Sequence, residues 1–189
     1  TITGSSLADL IVLRGGGGDR IDARAGNDTV ALIGSEDAFY NLSGNRIDGG
    51  LGDDSLDLRQ LQTWNGYQLD LDQGLLWDPQ ASYSSWDGNI LRTRIAGFEQ
   101  VQVLRSGTII TSNARTIPID ATAHSDSIDK QITVYGGVLD DLLKATLGNY
   151  LYDGGYGTDT LILDWSSATS DIRKSSAYLY YTWFDVYST

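Results

Sequence analysis

Along the first third of the chain, single apolar residues recur two places after a polar one at a nearly constant interval. Asp9 precedes Ile11, Asp19 precedes Ile21, Asp28 precedes Val30, Asp37 precedes Phe39, Asn45 precedes Ile47 and Asp54 precedes Leu56. The steps between these polar positions are 10, 9, 9, 8 and 9 residues. Neither a helix nor a long amphipathic strand has this period. It describes a turn of about six residues followed by a three-residue strand with one side chain facing inward. The pattern returns late in the chain, where Asp141 precedes Leu143 and Asp159 precedes Leu161, 18 residues apart. Between them Leu147-Gly148-Asn149-Tyr150 holds the register in degenerate form.

Glycines stand at fixed offsets before these aspartates. Gly49 to Asp54 reads GGLGDD, Gly154 to Asp159 reads GGYGTD and Gly136 to Asp141 reads GGVLDD. Arg14 to Asp19 reads RGGGGD and Ala23 to Asp28 reads ARAGND. Glycine permits positive φ and lets backbone carbonyls approach closely. If nine residues make half a coil, turns on one edge recur every 18 residues, and a bound ion lies between repeats n and n+2. Asp19 with Asp37 and Asp141 with Asp159 satisfy that spacing directly. Asp9 with Asp28 is one residue too long, while Asp28 with Asn45 and Asp37 with Asp54 are each one too short.

These segments resemble the RTX (hemolysin-type) calcium-binding nonapeptide, G-G-x-G-x-D-x-U-x with U apolar. The resemblance implies Ca2+ as cofactor. Its ligands would come from Asp9, Asp19, Asp28, Asp37, Asn45, Asp54, Asp141 and Asp159, together with the turn glycines Gly16, Gly49, Gly136, Gly155 and Gly157. It also implies a secreted bacterial protein, extracellular or at the cell surface, exported unfolded by type I secretion and folding on calcium outside the cell. The expected fold class is all-β: a parallel β-roll or β-helix-like solenoid in two repeat blocks joined by additional strands. The blocks are expected at 1–58 and 132–189, the second with an aromatic C-terminal cap, around a strand-rich insert at 59–131. Within that insert Asn65 to Leu71 (NGYQLDL) and Ile95 to Val103 (IAGFEQVQV) look like the linkers found between RTX blocks. The only hint of helix is a possible turn at Leu139 to Thr146.

Composition narrows the chemistry further. The chain has 189 residues, with 25 Asp+Glu against 13 Lys+Arg and a net charge of -12. Only Glu36 and Glu99 are glutamates, which leaves 23 aspartates beside 22 glycines. Aspartate tolerates turns and caps its own backbone, so this bias indicates ordered acidic turns rather than a generic acidic surface. Calcium prefers carboxylate and carbonyl oxygens, and such turns supply both. The charge argues against nucleic acid as a partner. With 0 cysteines there is no disulfide scaffold and no thiolate metal site. No apolar run is long enough to span a membrane. The chain begins at Thr1 without a signal-peptide pattern and reads as a piece of a larger exoprotein.

Catalytic constellations are lacking. The single histidine, His124, rules out an H-E-x-x-H zinc site, and there is no G-x-S-x-G elbow. Adjacent carboxylates such as Asp53-Asp54 have a simpler use in metal-binding turns, so no enzyme activity is expected. Two other classes stand beside the calcium module. One is an adhesin or carbohydrate-binding module with structural calcium, its ligand an extracellular glycan or another protein, suggested by Trp64, Tyr67, Trp77, Tyr83 and Trp86. The other, less favoured, is a domain acting on extracellular polysaccharide. The aromatics of the insert, and the run from Tyr178 to Tyr187, equally suit caps on a narrow solenoid.

Overall fold

The computed structural model describes residues 1–15, 17–34, 44–61, 66–77, 79, 92–104, 107–122, 131–146, 149–164 and 166. Gly16, Asp37, His124, Trp64, Tyr83, Trp86 and the aromatic run from Tyr178 to Tyr187 lie outside them. The described chain is all-β, with no helix among its residues.

Two sheets form, and the chain alternates between them. The first has nine strands and begins with β1 (Ile2–Thr3), β3 (Arg20–Asp22) and β5 (Arg46–Asp48). It continues through β9 (Thr93–Ala96), β8 (Leu75–Trp77) and β7 (Tyr67–Asp70), then β11 (Gly107–Ile110), β13 (Gln131–Tyr135) and β15 (Asn149–Asp153). The second has seven strands, in spatial order β16 (Thr160–Leu163), β14 (Leu142–Ala145), β12 (Ile119–Ala121), β10 (Gln100–Gln102), β6 (Ser55–Asp57), β4 (Thr29–Ile33) and β2 (Leu10–Arg14). Strands from all three expected segments enter the same two sheets. The residues expected as a possible helical turn form β14 instead, because Leu143 and Ala145 face the core in strand alternation.

The second sheet is parallel throughout. Its central register carries an apolar ladder, Ile11, Val30, Leu56, Val101, Ile119, Leu143 and Leu161, each opposite the next. In the first sheet Ile21, Ile47 and Ile95 stack in the same way. These side chains form the core, most of them fully buried, and each contributes roughly 1.5–3 kcal/mol of transfer free energy. Strands of three to five residues with one or two inward side chains suffice, because every neighbouring strand adds to the same column.

The parallel order of the first sheet is broken once. A hairpin through Gly74, which has φ +64, turns β7 back into β8, and β8 pairs antiparallel with both β7 and β9. The β7–β8 hairpin is therefore spliced into an otherwise repeating sheet. Tyr67 at its start is buried over Gly107, where an added Cβ would lie 2.6 Å from the ring.

Candidate metal centre

Because the strands of each sheet run parallel apart from β8, every passage from the first sheet to the second lies on one edge. The connections are 4–9, 23–28, 49–54, 97–99, 111–118, 136–141 and 154–159. The complete glycine–aspartate turns thus fall in one column, and their terminal acids sit one above another. The return connections occupy the opposite edge.

Along the first column the acids form a hydrogen-bonded ladder. The backbone N–H of Asp9 donates to Asp28 Oδ1 at 2.7 Å, and that of Asp28 to Asp54 Oδ1 at 2.8 Å. The N–H of Asp54 donates to Glu99 Oε2 at 2.8 Å. Further along, the N–H of Asp141 donates to Asp159 Oδ1 at 3.0 Å. A second ladder runs beside the first one residue earlier: Asp53 N–H to Asn27 Oδ1, and Thr158 N–H to Asp140 Oδ1. Each rung of the first ladder consumes one carboxylate oxygen of the next acid in the column.

The other oxygen is left over. Asp28 Oδ2, Asp54 Oδ2 and Asp159 Oδ2 are buried and accept no hydrogen bond, whereas Asp141, whose Oδ2 accepts the Gly137 N–H, also has the Thr111 hydroxyl within reach. Asp28, Asp54 and Asp159 are only 1%, 0% and 4% exposed. A buried anionic oxygen without a partner is costly, and one polar group of this kind would already call for an explanation. Three of them, on Asp28, Asp54 and Asp159, occur at equivalent places in stacked turns, each beside an oxygen that accepts the preceding acid's N–H. Burial raises the carboxyl of Asp54 above its ordinary range against the pull of the Asp28 N–H, with repulsion from Asp28, Glu99 and Asp53 adding to the rise. Asp159 is raised by burial and by the charges of Asp141, Asp140 and Asp153, and Asp141 by burial and Asp140.

Carbonyls close in around these oxygens. A Cβ placed on Gly49 would lie 3.0 Å from Asp54 Oδ2 and would collide with the carbonyl of Gly97. A Cβ on Gly154 would collide with Asp159 Oδ2, and one on Gly136 would meet the carbonyl of Gly154. Gly155, with φ +77, abuts the Gly136 and Gly137 carbonyls, and Gly157, with φ +120, the Leu139 carbonyl. The glycines are thus required twice, for their φ and for the missing side chain. One turn departs from the rule: Arg24, at the place taken by Gly50 one coil on, has φ 76.

Among the described residues no three carboxylate or imidazole side chains converge as a metal cluster. The donor set is instead paired carboxylates with backbone carbonyls, hard oxygen ligands of the kind calcium takes. The residues present fit that ion: buried carboxylate oxygens without a partner, acids whose charge burial disfavours, and a glycine cradle lined by carbonyls.

Several expected pairings change. Asp141 with Asp159 and Asp9 with Asp28 are direct neighbours as expected, and the extra residue between the latter two is absorbed in the five-residue strand β2. Asp28, however, pairs with Asp54 rather than Asn45. Asn45 lies on the opposite edge, where its Oδ1 accepts the Asp19 N–H at 2.7 Å, so Asn45 rather than Asp37 is the neighbour of Asp19. The described strands β4 and β5 lie in different sheets, whereas the sequence rhythm counts a further repeat, at Asp37, between them.

Two functional residues escaped the nonapeptide pattern. Glu99 fills the aspartate place after Asp54, its longer stem reaching across a shortened turn. Its signal in the sequence is its rarity, one of two glutamates. Arg115 then interrupts the acidic column: its guanidinium forms an ion pair with Glu99 and donates to the Phe98 carbonyl at 2.7 Å.

No protein-family model matches the chain, and no curated protein matches it either.

Proposed function

We propose that this chain is a calcium-binding β-roll of the RTX type, a module of a larger secreted bacterial exoprotein that folds on calcium after export. The observation that carries this reading is the set of three buried, unpartnered carboxylate oxygens at equivalent turn positions, on Asp28, Asp54 and Asp159. The alternation of short parallel strands between two sheets supports the solenoid form, and the glycine turns on one edge support the ion sites.

Calcium would supply charge neutralisation at those oxygens; the residues of the chain do the rest. Asp54 and Asp159 each present one oxygen to the ion while the other fixes the neighbouring turn. The glycine carbonyls complete the shell. Without the ion, the column stacks like charges in a dry edge, and the short strands must overcome chain entropy unaided. Binding free energy then becomes folding free energy. Extracellular calcium modules bind with Kd of about 10⁻⁴–10⁻³ M, which suits an ion scarce in the cytosol and abundant outside.

The test is a thermal melt followed by circular dichroism in EDTA and in calcium. At a tenfold excess over Kd each site adds about 1.4 kcal/mol, so several sites raise Tm by many degrees. A melt indifferent to calcium would exclude this function.

A further inference from the structure

We propose a second binding site, for a linear acidic polysaccharide, on the outer face of the nine-stranded sheet. Arg20, Arg46 and Arg94 lie on adjacent parallel strands in direct register, Arg20 opposite Arg46 and Arg46 opposite Arg94. All three are exposed. Strands sit about 4.8 Å apart, so three guanidinium groups leave the sheet from a single row. Like charges directly opposite one another on a sheet are destabilising. In a chain of net charge -12 the simplest relief would be a carboxylate partner, and Asp22 and Asp48 stand in register two residues along. Yet the ion pairs of the described residues are Arg59–Asp57 and Arg115–Glu99, and neither involves this row. The row is a positive strip that the protein leaves unneutralised.

Its far end meets an aromatic platform. In the antiparallel pair β8–β9, Leu75 lies opposite Arg94, so Trp77 lies beside Arg92 on the same face. The Arg92 guanidinium stacks over the Trp77 ring at 4.9 Å from its centroid. Guanidinium forks recognise carboxylate and sulfate groups bidentately, and Arg92, held against the Trp77 face, extends the row by a further fork. A flat, linear row of forks ending at an aromatic fits a chain of sugars bearing regularly spaced anionic groups. Nucleic acid and anionic vesicles fit less well, because their dense charge meets the field of the whole acidic protein. The site does not use the turn edge, so it stands apart from the calcium reading.

The experiment is calorimetric titration of the full chain with polygalacturonate at low salt and fixed calcium, with dextran, duplex DNA and phosphatidylserine vesicles as comparisons. Polygalacturonate is expected to bind, dextran to bind negligibly, and about 0.5 M salt to abolish binding. Arg20→Gln/Arg46→Gln/Arg94→Gln should lose at least tenfold in affinity, and Arg46→Gln alone severalfold. Asp22→Asn removes a repelling charge from the next row and should tighten binding, a gain that misfolding cannot imitate. No binding of polygalacturonate, an unchanged triple variant with the circular dichroism of the parent, or DNA or vesicles binding as tightly, would each overturn the site.

Discussion

The backbone N–H of Asp28 donates to Asp54 Oδ1 at 2.8 Å, while the second oxygen of Asp54 lies buried with nothing to accept. One carboxylate thus has two duties, to tie neighbouring coils and to offer a charge. A substitution can separate them. Asp54→Asn keeps an oxygen for the Asp28 N–H and removes the anion. In EDTA the variant is expected to melt at least as high as the parent, since a buried like charge is gone. In calcium it should lose about one site's share of stabilisation, roughly 1–2 kcal/mol or a few degrees of Tm. Paired melts of parent and variant check both halves.

A calcium ion bound as proposed would compete with protons for the same oxygens, which fixes the sign of the pH dependence. The carboxyls of Asp54, Asp141 and Asp159 are raised in the folded state, so the folded chain holds protons that the unfolded chain has released. Their contribution to stability is complete below the unfolded value of about 3.9 and is lost as pH rises through the folded values. Asp57 acts oppositely: burial works against its charge, but the Arg59 guanidinium at 2.7 Å outweighs it and holds the carboxyl down. The exposed Asp164 is also held down, by hydrogen bonds from Ser166, so three raised carboxyls stand against two lowered ones. In EDTA, Tm is expected to rise as pH is lowered from neutrality toward the ordinary carboxylate range. In calcium it should fall over the same interval, because protons displace the ion. Melts at matched pH values with and without calcium test the crossing.

Arg24 and Gly52 make a matched pair of backbone tests. Arg24 holds φ 76 in a turn whose counterpart one coil on is glycine, and such a conformation costs an arginine of order 1 kcal/mol. Arg24→Gly should therefore gain about 0.5–1 kcal/mol in urea unfolding, after the added freedom of the unfolded chain is subtracted. Gly52 has φ +143, and a Cβ there would run into the Gly26 carbonyl. Gly52→Ala is expected to lose more than about 2 kcal/mol and to weaken calcium binding at the turn it deforms.

Arg115 brings to Glu99 and the Phe98 carbonyl a positive charge, where the turns on either side present acids. Half exposed as it is, the pair contributes about 0–1 kcal/mol. Arg115→Met keeps the stem and removes the charge, so Tm in EDTA should fall by a few degrees at most. Calcium should restore that loss through a carboxylate now free to bind it. Calorimetric stoichiometry raised by one ion in the variant is the expected sign, and an unchanged stoichiometry would make Arg115 a plain surface partner.

Much of this was legible in the nonapeptide spacing, because a single inward residue per short strand leaves little choice of register. Asp141 and Asp159 stand 18 residues apart and are neighbours. Where the chain inserts a longer crossing, spacing alone misleads: Asp28 passes over Asn45 to reach Asp54. A polar residue followed by an apolar one also occurs in loops, and nothing local distinguishes the two. Glu99 was hidden for a different reason, since its turn is three residues long and keeps only Gly97 of the glycine pattern. The arginine row was unreadable in principle: Arg20, Arg46 and Arg94 are separated by 26 and 48 residues, and only the sheet register brings them together.

The ladder also has a direction. Asp9 gives its N–H to Asp28, Asp28 to Asp54 and Asp54 to Glu99, so each donor waits for an acceptor that comes later in the chain. The adjoining ladder runs the opposite way, from Asp53 back to Asn27 and from Thr158 back to Asp140, so neighbouring turns are stitched in both directions and neither end of the column has to close first.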